Sequence, residues 1–100
     1  MEIKVNTTDT GVVVVPEGKL TVQTAPELEA AIGTVDASAT DLAIDLASVD
    51  YISSAGLRVL VATQKMMAQR GGNLRLLSPN DDVQEVFEMT GLADVFNIER

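Results

Sequence analysis

The sequence predicts an α/β fold, a mixed β-sheet with helices packed on it, and three observations carry that expectation. Short β-branched or aliphatic runs alternate along the chain with stretches of helical periodicity, the pattern of strand–helix–strand units that pair in parallel through right-handed crossovers. The first two runs are joined by a short turn, which predicts an opening antiparallel hairpin. Turn and cap residues stand at most of the changes of period.

Ile3 and Val5 alternate with polar neighbours, as a first strand does. Thr7 to Gly11 reads as a turn, and Val12 to Val15 as a second strand ended by Pro16 and Gly18. Thr24-Ala25-Pro26-Glu27 has the form of a capping box, with Pro26 placed where it loses no helical hydrogen bond. Leu28, Ala31, Ile32 and Val35 follow at helical spacing, and Glu29, Gly33 and Thr34 fall on the outer face. Leu42 to Leu46 is a short, mostly apolar run, the mark of a central strand buried on both faces. A loop is expected next, with Asp50 as a turn former.

Ser53 or Ser54 then caps a second helix, whose inward stripe is Leu57, Leu60, Val61, Gln64, Met67 and Ala68. Arg58, Lys65 and Arg70 point away, and Gly71-Gly72 ends the helix. Leu74 to Leu77 is the next strand. Ser78 to Asp82 starts a third helix with acids in its first turn, where the helix dipole favours them. Val83, Val86 and Phe87 face inward, and Gly91 stops it. Leu92, Val95, Phe96 and Ile98 close the fold as a short turn or strand. The order is β-β-α-β-α-β-α plus a tail. No repeat or linker interrupts it, so residues 1–100 read as one domain.

Composition excludes several function classes. The 100 residues hold no cysteine and no histidine, which removes the common zinc ligands, the usual general base and the thiol nucleophile. A serine hydrolase lacks its base and its Gly-x-Ser-x-Gly elbow, and Gly71-Gly72 lacks the lysine of a phosphate-cradling loop. The chain is therefore expected not to be an enzyme and to need no cofactor or metal. Fifteen acids against seven bases give a net charge of -8, which repels nucleic acid and anionic membrane. No stretch is long and apolar enough for membrane insertion, and Met1-Glu2-Ile3-Lys4 has no signal-peptide character. A cytoplasmic protein is the expectation.

The informative segment is Asp45 to Leu57. A buried strand ends there and a helix begins at two serines, followed by the small residues Ala55 and Gly56. Another protein can approach such a surface closely. A phosphate on Ser54 would meet free backbone N–H groups and the positive end of the helix dipole. Taken alone, a serine at a helix start is ordinarily a cap.

In this segment the chain resembles the STAS domain, specifically the stand-alone anti-sigma factor antagonists of bacteria. Ile52-Ser53-Ser54-Ala55-Gly56-Leu57 aligns with the family's Asp-Ser-Ser/Thr-Gly-Leu. Gly18-Lys19-Leu20, Gly71-Gly72-Asn73-Leu74 and Thr90-Gly91-Leu92 resemble three further motifs in the family's order. The resemblance implies a STAS-like mixed sheet, with Ser54 as phospho-acceptor. It implies a partner-binding surface of Ser53, Ala55, Gly56, Leu57 and Arg58, with Asp45 supporting the loop. Three positions depart from the pattern: Ser53 replaces the acid before the acceptor, Ala55 the hydroxyl residue after it, and Thr21 an acid after Gly-x-Leu. Ser53 thereby becomes a competing acceptor. The implied partners are an anti-sigma factor that is also a serine kinase, bound when Ser54 is unmodified and released on phosphorylation, and a serine phosphatase that restores binding. Two other readings stand beside this one. One is a STAS accessory subunit of a transport or signalling complex that works without phosphorylation. The other is a small-ligand sensor with a shallow pocket near Ser54.

Overall fold

The computed structural model describes all 100 residues. The chain runs β1 (Glu2–Thr7), β2 (Val12–Leu20), α1 (Ala25–Gly33), β3 (Asp41–Asp45), β4 (Val49–Ile52), α2 (Ser54–Gln69), β5 (Asn73–Leu77), α3 (Asp81–Met89), a 3-10 turn (Leu92–Asp94) and β6 (Asn97–Glu99). The sheet order is β1-β2-β3-β5-β6, with β4 paired to β2 off that path. Only β1 and β2 are antiparallel. The opening hairpin and the parallel remainder match the sequence expectation.

Strand β2 differs from that expectation. It does not stop at Pro16 but continues to Leu20. Its residues Val12 to Val14 pair with β3, and Gly18 to Leu20 pair with β4. Pro16 lies between the two, where β2 has no parallel neighbour, so its missing N–H breaks no parallel ladder bond. Gly18, at φ 107°, takes the left-handed backbone that the register shift beside it requires.

The expected loop after β3 contains β4. Val49 and Ile52 are buried while Asp50 and Tyr51 are both exposed. That pattern breaks the two-residue alternation by which a strand is read, because the irregularity at Gly18/Lys19 lies opposite it. Asp50 is therefore a strand residue, and its carboxylate lies 3.5 Å from the Lys19 ammonium of β2.

The core follows from register. Val12 and Val14 stand opposite Leu42 and Ile44, and these stand opposite Leu74 and Leu76. All six are buried and join Leu28, Leu60, Met67 and Phe87 of the helices in one cluster. Ala43 is buried on the other face of β3. There Arg75 bridges strands, its guanidinium donating to Asp41 at 3.1 and 3.3 Å and to Glu99 at 3.5 Å. The hydrogen bond to Asp41 raises the Arg75 pKa above its ordinary value.

The helices show three corrections. The Thr24 capping box does not form: Thr24 is already in helical geometry, and its hydroxyl donates instead to the Lys19 carbonyl at 2.6 Å. The inward stripe of α2 is shifted, with Val59 and Thr63 buried and Ala68 exposed. Thr63 can be buried because its hydroxyl donates to the Val59 carbonyl at 2.7 Å. Arg70 is half-buried, since its guanidinium reaches back to the Asp36 carbonyl at 3.3 Å. The ends of the later helices follow the sequence. Gly71, at φ 72°, terminates α2. Asn80 caps α3 by accepting from the Val83 amide at 2.8 Å, and its own amide donates to the Val49 carbonyl of β4 at 3.2 Å.

Leu60 is fully buried on the sheet side of α2. Leu60→Ala is expected to lower stability by about 2–5 kcal/mol through lost burial and a residual cavity. Urea unfolding checks this: the midpoint falls while the slope stays unchanged.

Candidate functional site

The site is assembled at one end of β2. Leu20 pairs with Ile52, and the Ser53 amide donates to the Leu20 carbonyl at 2.8 Å. These contacts fix where α2 starts. Gly56 permits the close approach: a Cβ there would lie 3.0 Å from Ile52 Cγ1 and 3.2 Å from Leu20 Cβ. Leu57 follows it inward and is 9% exposed.

The two serines separate in role. Ser53 is the N-cap, in extended geometry, and its Oγ accepts from the Gly56 amide at 3.2 Å. It is half-buried and already occupied. Ser54 is the first residue of the helix and is exposed, and its hydroxyl takes no part in that cap. The Gly56 and Leu57 amides are taken by Ser53, whereas the Ser54 and Ala55 amides donate to no protein carbonyl. An exposed hydroxyl thus stands beside free donors at the positive end of a sixteen-residue helix.

Of the other residues expected on the contact surface, Ala55 is half-buried and Arg58 is exposed. Gly56 and Leu57 are buried and belong to the core, so they seat the surface and do not present it. Asp45 holds the loop at its β3 end. Its carboxylate accepts from the Ala47 amide at 3.0 Å and so closes the β3–β4 turn, well before the serines.

Sequence reasoning missed the neighbours of Ser54. The β2–α1 turn is closed by two threonine hydroxyls. Thr21 Oγ1 accepts from the Gln23 and Thr24 amides, and Thr24 Oγ1 accepts from the Thr21 amide at 2.8 Å. This leaves Val22 at the tip, 72% exposed. Tyr51 of β4 is 49% exposed and lies opposite Lys19. A groove of about 390 Å³ runs between α1 and α2, with Val22, Ala25 and Pro26 on one wall and Ala55, Val59 and Ala62 on the other. Glu29 and Arg58 lie along it. The signal was an apolar residue, Val22, in an otherwise polar turn. A larger cavity, about 450 Å³, lies at the opposite end of β2 and is lined mainly by threonines, Ser38, Asp9 and Asp36. It shares no residue with the Ser54 end.

The division between the serines is measurable. Ser53→Ala is expected to cost about 1 kcal/mol of stability through loss of the cap, while Ser54→Ala stays within about 0.5 kcal/mol. Urea denaturation of the two variants checks this, and equal losses would contradict the assignment.

Comparisons with known proteins agree with this architecture. The STAS domain family model matches residues 2–100. The anti-sigma-B factor antagonist of Bacillus subtilis (strain 168) is 36% identical over 81 residues, which is 81% of this chain and 74% of the relative. The crystal structure of an anti-sigma factor antagonist from Mycobacterium paratuberculosis superposes with a TM-score of 0.88 at 32% identity, covering 98% of this chain and 84% of that one. Unphosphorylated SpoIIAA, also an anti-sigma factor antagonist, shares the fold with a TM-score of 0.73 at 17% identity, over 99% of this chain and 88% of its own. With the family model spanning nearly every residue and relatives above the 30% level, this chain belongs to the STAS domain family, among the anti-sigma factor antagonists.

Proposed function

We propose that this protein is an anti-sigma factor antagonist switched by phosphorylation of Ser54. Unmodified, it binds an anti-sigma factor that is also a serine kinase and so frees a sigma factor for transcription. The kinase transfers phosphate from ATP to Ser54, the complex dissociates, and a serine phosphatase resets the cycle. The antagonist itself catalyses nothing, requires no cofactor and works in the cytoplasm.

The observation that carries this reading is the exposed Ser54 hydroxyl, left free because Ser53 holds the cap position. The anti-sigma-B factor antagonists among its relatives support the class of partner. The contact surface is Ser54, Ala55 and Arg58 with the groove wall beside them and Val22 at its rim. Small and apolar residues there allow a partner to pack closely. A phosphate adds about -1.5 to -2 charges and three acceptor oxygens. Its own helix can host it, since free amides face that end. The partner cannot host it without desolvating it. A penalty of about 3 kcal/mol weakens binding more than a hundredfold, so the off step requires no refolding.

Ser54→Ala is expected to bind the anti-sigma kinase constitutively, and Ser54→Asp to lose about a hundredfold or more in affinity, measured by calorimetry. Incubation of the native chain with the kinase and ATP should add one phosphate, located on Ser54 by tandem mass spectrometry. Equal binding by both variants would refute the switch and leave an accessory role. Val22→Asp should weaken the same complex at least tenfold with stability unchanged, because a charge at that rim must be desolvated on contact.

A further inference from the structure

We infer that Arg58 is the intramolecular receptor of the Ser54 phosphate, so that modification withdraws a cation from the contact surface as well as adding charge to it. The inference rests on Ser54 being the acceptor.

Spacing is the first argument. Ser54 is the first residue of α2 and Arg58 is four residues on, so the two side chains are neighbours on one helix face. Both are exposed. Helical side chains lean toward the N-terminus, and a long one covers the turn before its own Cα. Arg58 therefore reaches over the turn that holds Ser54. The order of anion first and cation four residues later is the favourable one with respect to the helix dipole.

Availability is the second. Of the seven cations in the chain, Lys19, Arg75 and Arg100 are held by carboxylates and Arg70 by a backbone carbonyl. Arg58 is in none of these pairs. Glu29 lines the same groove, yet no Glu29 oxygen is among the ion pairs of the chain. A free guanidinium, whose planar fork matches phosphate oxygens, stands beside the position where a dianion would appear.

The consequence is a switch with two coupled parts. Before modification Arg58 is free to meet a partner carboxylate at the groove. After modification it is turned onto the phosphate, and the partner loses its cation in the same step that places an anion before it.

The test uses the full chain carrying phosphoserine at position 54, installed by amber suppression, and reads the second pKa of the phosphate by phosphorus NMR at low salt. A nearby cation favours the dianion. Arg58→Gln is therefore expected to raise that pKa by about 0.5 unit, the size of an exposed ion pair. The difference should vanish near molar salt. Lys65→Gln is the control, because Lys65 is exposed on the same helix about 16 Å further along its axis, and it should leave the pKa in place. An unchanged pKa in Arg58→Gln, or an equal rise in Lys65→Gln, overturns the proposal. No kinase enters the measurement. Failure of every kinase to modify native Ser54 would defeat the switch reading and leave this result standing.

Discussion

The close seating of Gly56 against Leu20 and Ile52 is the constraint on which the Ser54 end depends. With no side chain at that position, the first turn of α2 lies directly on the ends of β2 and β4. The Ser53 amide then reaches the Leu20 carbonyl, and the helix axis is fixed relative to the sheet. Leu57 fills the space behind. A bulkier residue at position 56 would lift the turn and change which hydroxyl faces outward. The surface is thus positioned from beneath, by residues that do not reach it.

From that seating comes the asymmetry between two adjacent, chemically identical side chains. Ser53 turns inward to satisfy an amide of the first turn and is spent as a cap. Ser54, one residue on, has no such duty. Where a single serine must cap a helix and accept a phosphate, modification removes the cap. Here the cap lies on Ser53, so a group added at Ser54 would leave the helix end's hydrogen bond in place.

Much of the fold was legible because its signals are local. The hairpin, three helices and the buried β3 and β5 are written in alternation, helical spacing and glycine stops. The exposed place of Ser54 at the start of α2 was legible from the paired serines followed by Ala55 and Gly56. What escaped depends on long-range partners. Strand β4 was hidden because Val49-Asp50-Tyr51-Ile52 alternates wrongly for a strand, a consequence of the irregularity opposite it in β2. Thr24 looked like a cap because nothing in sequence shows the Lys19 carbonyl beside it. Gly56 and Leu57 looked like contact residues because they belong to the motif, whereas burial is a property of the packed molecule. The groove is formed by two helices distant in sequence, and only Val22 hinted at it.

The two hydrogen bonds made by the Asn80 side chain bear on the open edge of the sheet. Strand β4 pairs with β2 alone and leaves its other edge without a strand. Such edges recruit extended segments of other chains, and proteins blunt them with brevity, charge or cover. This one has all three. It is four residues long, it carries Asp50, and a side-chain amide from α3 occupies the Val49 carbonyl. The strand that leads to the serines is thereby shielded from adventitious β-pairing, and what this end offers to solvent is side chains and not an open strand edge.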